Sequence, residues 1–293
     1  MHHSHIIVGA GLTGLVLAQK LKAKGHSPLI LEKSRGLGGR IATRRLEGMG
    51  FDHGLSFLPH SRECLDLIKE YSLNSLMKVT SQGIILEGGM NLLAKSLSKD
   101  LQIMKEQRLE KITPLGEGWE LVTDQQQKFT TGKLIITAPL PQAIELLNSN
   151  HIESSYSPQL KEISYTKALI GLFILNKDHP AIPESHNVLI MKDRGMHPLG
   201  IVIKGSDEFS SIYFDTPEAE VLKHLLLIKE ELLKTKLEFS HQELKKWRYA
   251  SPLRNFNQAF IQYSPNLFLA GDSFSHGGVR GSISSALALG EAL

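Results

Sequence analysis

The chain has 293 residues, 41% of them hydrophobic and 22% charged, with a net charge of +3. That is enough apolar material for one large domain or two interlocked ones. The near-balanced charge lacks the clustered basic face that nucleic-acid binding requires. The single cysteine, Cys64, excludes an intramolecular disulfide and a cysteine-built metal centre, and no metal site is expected.

In chain order, His2, His3 and His5 crowd the first residues, where a frayed, solvated end is expected. His5-Ile6-Ile7-Val8 reads as a buried parallel strand. It leaves no room before it for a cleavable apolar segment, and a cytoplasmic location is expected. Gly9-Ala10-Gly11-Leu12-Thr13-Gly14 follows, the G-x-G-x-x-G pattern. Gly9 permits the tight turn, Gly11 a close approach of backbone to a pyrophosphate, and Gly14 the packing of the next helix on the sheet. Leu17, Ala18 and Leu21 share a helical face with Gly14, and the helix is expected to end near Gly25. Its N-terminus offers N–H groups and a positive dipole end to phosphates.

Residues 27–31 read as the second strand, ending at Glu32. A carboxylate about 20 residues past the glycine turn is placed to accept from ribose hydroxyls. A strand before the glycines, a helix after them and this acid together make the dinucleotide fingerprint specific, although it serves NAD and FAD alike.

Further on, Glu63 to Ile68 reads as a short amphipathic helix that buries Cys64 as a small hydrophobe. Apolar runs at 168–175, 188–191, 201–203 and 212–214 are expected strands, and the longest of them is far short of a membrane span. A long helix is expected from Pro217 to about Lys236, with Val221, Leu225, Ile228 and Leu232 as its apolar stripe. Near the end of the chain, 266–270 reads as a strand closed by Gly271-Asp272. Gly277-Gly278-Val279-Arg280-Gly281 comes next, and then a helix of small residues over 282–293.

The run Glu32-Lys33-Ser34-Arg35-Gly36-Leu37-Gly38-Gly39-Arg40 resembles the FAD-dependent amine oxidase superfamily, in which an acid-ended strand leads into a G-G-R segment. Within it, the renalase-like proteins are the nearest likeness. It is carried by Arg108 to Ile112, Gly118 to Leu121, Leu134 to Ala143, Lys246 to Ala250 and Ala270 to Leu293. The resemblance implies an α/β fold, α+β overall: a Rossmann-like FAD-binding domain assembled from discontinuous segments, with an inserted mixed-sheet substrate domain. The implied bounds are 1–57, 88–146 and 262–293 for the FAD-binding parts, 58–87 for a reduced cap, and 147–261 for the substrate domain. Larger amine oxidases build much of their cap where this chain has only 58–87.

Non-covalent FAD is the implied cofactor. The resemblance places Gly38, Gly39 and Arg40 along its pyrophosphate and ribityl chain, and Asp272, with Gly271, at the ribityl hydroxyls. Asp52 and Gly54 match the acid-x-Gly turn beside the flavin. It further implies cofactor contacts from Leu12, Thr13, Lys33, Leu109, Ala138, Val279, Gly281 and Ser282. The last helix would aim its N-terminus at the flavin pyrimidine edge, where a reduced flavin carries negative charge.

The family's chemistry is removal of hydride from a C–H next to nitrogen onto flavin N5, followed by reoxidation by O2. The implied substrate is a small molecule: an amine, or an NAD(P)-type dihydronicotinamide isomer. His276 is the catalytic candidate, and Tyr165, Phe173, Trp247 and Tyr249 are candidate wall residues. Lys167 is a candidate for the lysine that holds a water near N5 in some amine oxidases. The alternatives are an FAD-dependent desaturase or isomerase-like enzyme acting on another small molecule, and a flavin-binding protein with little turnover.

Overall fold

The computed structural model describes residues 2–176, 188–191, 200–234 and 236–293. They form two compact units. The first holds the described residues of Met1–Ala42, Phe57–Ser164 and Pro252–Leu293, and the second those of Thr43–Ser56 and Tyr165–Ser251.

The first unit is built on an eight-stranded sheet. Along its main path the strands run Ile261–Ser264, Leu267–Leu269, Lys128–Ile136, His2–Val8, Leu29–Glu32 and Gln102–Lys105. The last five of these are mutually parallel, which is the Rossmann arrangement, while Ile261–Ser264 returns antiparallel at the edge. Strands Leu109–Leu115 and Gly118–Thr123 form a hairpin that joins antiparallel to the early part of Lys128–Ile136. Leu29–Glu32 is buried at every position, as expected where helices cover both faces of a parallel sheet.

The first strand starts at His2, not His5, so the N-terminal histidines do not form a frayed end. His2 pairs with Thr130, His3 with Thr131 and His5 with Lys133. Those pairings satisfy backbone groups that a frayed end would leave to water, and His5 is only 3% exposed.

Helix Leu12–Ala23 follows the first strand and is buried over most of its length. It stops where Gly25 takes φ +85°. The His26 N–H bonds the Leu21 carbonyl at 3.0 Å and the Gly25 N–H that of Lys22 at 2.9 Å, satisfying two terminal carbonyls. The C-terminal helix Gly278–Ala292 lies against it. A Cβ on Gly290 would come within 2.6 Å of Lys20 Cγ, so the small residue sets how near the two helices sit.

Segment 58–87 belongs to this first unit. It contains helix Arg62–Glu70, capped by the Ser61 hydroxyl, and the hairpin Met77–Val79 with Ile84–Leu86. Cys64 is buried in that helix. Residues 147–164 also belong here, anchored in part by a 2.6 Å hydrogen bond between the Ser157 and Tyr263 hydroxyls.

The second unit has a four-stranded sheet in the order Val188–Met191, Gly200–Lys204, Ala168–Leu175, Phe239–Trp247, antiparallel in every described pair. Ala168–Leu175 is buried at every residue because both its faces are covered. One face packs Leu169, Phe173, Phe214, Val221, Leu225 and Leu244 together. The other packs Ala168, Ile170 and Leu172 against Met49 and Phe51 of the hairpin Thr43–Leu46 with Met49–Asp52. That packing is why 43–56 groups with this unit.

The run 212–214 is not a strand. Helix Asp207–Ile212 begins at Ser206, whose hydroxyl accepts from Phe209 N at 3.1 Å, and two acids occupy its first turn. Capping and dipole terms outweigh the short apolar run. The long helix spans Glu218–Leu233.

Candidate dinucleotide site

The glycine turn is held from both sides. Gly9 takes φ +106°, and its N–H bonds the Leu31 carbonyl at 2.8 Å. Thr137, at the end of strand Lys128–Ile136, donates its hydroxyl to the Val8 carbonyl at 2.9 Å. Thr137 therefore fixes the turn, a role the sequence reading missed although it named the adjacent Ala138.

The glycines differ in what surrounds them. A Cβ on Gly14 would lie 2.0 Å from the Gly9 carbonyl oxygen, so the helix can follow the strand this closely only without a side chain there. A Cβ on Gly11 would meet nothing within 4 Å. No side chain caps helix Leu12–Ala23 and no acid lies in its first turn. Open space over Gly11 beside an uncapped helix N-terminus is the geometry that accepts a phosphate.

Glu32 is 7% exposed. Its Oε2 accepts from Ala10 N at 2.7 Å and its Oε1 from Ser34 N at 2.8 Å. Each carboxylate oxygen has a further lone pair for a hydroxyl. The acid thus braces the glycine turn as well as standing at its rim. Nearby, the Gln107 N–H bonds the Glu32 carbonyl at 2.9 Å, and Gln107 Oε1 accepts from the buried Thr123 hydroxyl at 2.7 Å. Leu109 lies two residues beyond Gln107, buried at the start of its strand.

The run after Glu32 folds back on the turn. Gly38 N donates to Ala10 O at 2.8 Å, and Gly11 and Gly38 form a parallel bridge. Gly38 takes φ +98° and Gly39 φ +55°, and a Cβ on Gly38 would come within 2.9 Å of Ala94 Cβ. Lys33 is exposed and reaches Gln142 Oε1 at 3.3 Å.

Arg40 Nη1 donates to Asp272 Oδ2 at 2.6 Å, and the Asp272 side chain is only 7% exposed. Two segments far apart in sequence therefore meet. Gly271 N bonds the buried Ser285 hydroxyl at 3.0 Å. A Cβ on Gly281 would come within 2.6 Å of the Phe274 carbonyl oxygen, which lets helix Gly278–Ala292 lie against the loop after Asp272. This helix also lacks a side-chain cap and a first-turn acid. Val279 is half-buried in its first turn, and the buried Ser282 is committed to the Gly278 carbonyl at 3.0 Å. Ser285 lies within the helix of small residues expected over 282–293, but nothing in the sequence announces its bond to Gly271.

His276 is exposed on this loop and makes no hydrogen bond among the described residues. The loop itself is pinned: Ser275, at φ +55°, donates its N–H to Phe256 O at 2.9 Å.

Asp52 and Gly54 lie in the second unit. Asp52 is buried and accepts from the Thr43 hydroxyl across the hairpin. Between them, His53 is 9% exposed and stacks on Trp247 with ring centroids 5.4 Å apart and planes 11° apart. Trp247 Nε1 donates to the His53 carbonyl at 2.7 Å. Burial, with Lys245 nearby, pushes the His53 imidazole down to about 4. Of the other aromatic candidates, Phe173 is in the core and Tyr165 meets Tyr249 edge to face at 5.9 Å.

Fold and glycine turn together define a Rossmann-type dinucleotide-binding domain. Residues 7–71 match the NAD(P)-binding Rossmann-like domain family. Over nearly its whole length the chain is similar to renalase of Mus musculus, 25% identical over 331 residues that cover 97% of this chain and 96% of the relative. A shorter similarity, 48% over 48 residues, links 16% of the chain to 10% of a 4,4'-diapophytoene desaturase of Staphylococcus haemolyticus. Among solved structures, an engineered triple mutant of putrescine oxidase shares the fold with a TM-score of 0.76 at 12% identity, over 99% of this chain and 98% of that one. No helix among the described residues is long and apolar enough to cross a membrane.

Proposed function

We propose that the chain is an FAD-dependent oxidase of small molecules with a C–H next to nitrogen, an amine or a dihydronicotinamide isomer, with O2 as the final acceptor. The observation that carries this reading is the 2.6 Å bond joining Arg40 of the glycine-rich run to Asp272 at the end of the last sheet strand. A cradle for NAD alone needs only the first glycine turn. Here a second segment, with its own uncapped helix N-terminus, is fastened to the glycine-rich run that folds back on that turn. The similarity to renalase over 97% of this chain supports the oxidoreductase reading, and the substrate class is what the family resemblance implies.

The residues present fit FAD. Gly11, Leu12, Thr13 and Gly14 would hold the pyrophosphate on backbone N–H groups, and Glu32 the adenosine ribose. Lys33, Leu109 and Ala138 would border the adenosine half. Gly38, Gly39, Arg40, Gly271 and Asp272 would hold the central chain, and Val279, Gly281 and Ser282 the pyrimidine edge. The flavin, when bound, supplies the two-electron acceptor. The protein orients the substrate, excludes water and stabilises negative charge with the helix dipole at Gly278. His276 would provide a polar contact to the substrate.

Purified protein should be yellow and should quench FAD fluorescence in titration; a colourless chain without FAD binding would overturn the reading. Anaerobic mixing with dihydronicotinamide isomers and with amines should bleach the flavin absorbance with one class, and air should then restore it with release of peroxide. Bleaching by neither class would favour a desaturase-like enzyme or a flavin-binding protein with little turnover.

A further inference from the structure

Three cations in the second unit converge on one aromatic ring. Lys167 Nζ lies 4.8 Å from the centroid of Phe214, the Arg248 guanidinium carbon 5.3 Å and Lys246 Nζ 5.9 Å. The sheet register produces this. Ala168 pairs with Trp247 and Leu169 with Lys246, and strand side chains alternate between faces. Lys167, Lys246 and Arg248 therefore leave the same end of the sheet on the face that carries Leu169 and Phe214.

Two acids of this unit are committed elsewhere. Glu243, on the alternate face, pairs with Lys245 and Arg44. Glu218 accepts from Leu244 N at 2.7 Å. Among the described residues no carboxylate forms an ion pair with Lys167, Lys246 or Arg248.

One aromatic face favours one cation; a second and third add mutual repulsion, as like charges facing each other across strands do. One of the three is nevertheless held in place. Lys246 Nζ donates to the carbonyls of Phe214 at 2.8 Å and Thr216 at 2.9 Å. Lys167 is half-buried, and the Arg248 guanidinium offers a planar fork of donors. A ligand with several oxygens and more than one negative charge would relieve the repulsion and take up the remaining donors, which describes a phosphate better than a carboxylate.

We propose that Lys167, Lys246 and Arg248 form a binding site for the phosphate groups of a phosphorylated small molecule, the diphosphate of a dinucleotide substrate. Only the choice of a dinucleotide rests on the oxidase reading above. The phosphate chemistry rests on the cation cluster alone.

The test is calorimetric titration of inorganic pyrophosphate and of ADP into the full-length, FAD-loaded protein, so that the glycine cradle is already occupied. Saturable binding of one ligand per chain is expected. It should weaken about tenfold or more in Lys167→Gln/Arg248→Gln and stay unchanged in Lys223→Gln, on the exposed surface of helix Glu218–Leu233. If the double variant does not fold, Arg248→Gln alone should show the loss, because Arg248 is exposed. Tighter binding of ADP than of pyrophosphate identifies a nucleotide, and equal binding the phosphates alone; both support the site. Absence of saturable binding to the wild type, or equal affinity in wild type and variants, would overturn it. Pyrophosphate bound through these cations by a chain that takes up no FAD would sink the flavin reading and leave this site standing.

Discussion

Arg40 Nη1 donates to Asp272 Oδ2 across 2.6 Å, and this bond ties the glycine-rich run after the second strand to the end of the strand Leu267–Leu269. The acid is nearly buried and the arginine partly so. Arg40→Ala should therefore weaken FAD binding and also lower the stability of the apoprotein. Loss of a charged hydrogen bond of this kind costs ~1.5–3 kcal/mol. Urea melts of the apoprotein and FAD fluorescence titration read the two effects separately; an unchanged apoprotein melt would mean that the pair contributes nothing to the fold.

Glu32→Ala should likewise act twice. Its carboxylate accepts from Ala10 N and Ser34 N, so removing it leaves two backbone donors without that partner. A loss of ~1–3 kcal/mol in apoprotein stability is expected, in addition to weaker FAD affinity. Lower affinity with an unaltered apoprotein melt would show that the bracing role is absent.

Gly11→Ala and Gly14→Ala should separate binding from folding. Gly14 has the Gly9 carbonyl oxygen where its Cβ would go, at 2.0 Å, whereas Gly11 has nothing within 4 Å. Gly14→Ala should cost ~1–3 kcal/mol or more through overpacking. Gly11→Ala should change apoprotein stability by only ~0.5 kcal/mol while reducing FAD affinity, because the methyl would occupy the space over the uncapped helix. Comparable destabilisation of both apoproteins would contradict this account of the cradle.

Two histidines should set an acid limit on stability. Burial pushes His5 and His53 down from 6.5 to about 4. In both the folded state disfavours the proton, so the unfolded chain binds more protons between these values. Stability is then full above pH 6.5 and declines as pH falls toward about 4. Each group contributes up to ~3 kcal/mol to that decline. Melting temperatures of wild type and His53→Phe across this range should converge as the pH is lowered. Parallel curves would show that His53 is not titrating.

Much of the first unit was legible in the sequence because its signals are local. The strand–glycine–helix–acid sequence of Ile6 to Glu32 carries its own periodicity and spacing, and Gly271-Asp272 stands out by composition. What could not be read were partnerships between distant residues. Nothing near Ser285 announces a bond to Gly271, and Thr137 looks like an ordinary strand end until Val8 is beside it. The N-terminal histidines misled because polar residues at a chain end usually fray, whereas here His2 and His3 are paired along Thr130 and Thr131. The run 212–214 misled because three apolar residues cannot outweigh a serine cap and two acids upstream. The cations around Phe214 were individually visible, and Lys167 was singled out, but their convergence depends on a register that only the folded sheet fixes.

The position of strand His2–Val8 has a consequence for the order of assembly. It lies inside the sheet, between Leu29–Glu32 and Lys128–Ile136. The first neighbour is synthesised almost at once; the other emerges only after more than a hundred residues have passed, and Leu267–Leu269 much later still. Until then a strand ending in Ile6-Ile7-Val8 has one open edge. Pairings at such separation close slowly, and an uncovered edge invites association with other chains. A nascent or refolding chain therefore depends on its late strands to protect its earliest one, and dilution during refolding should raise the yield of native protein.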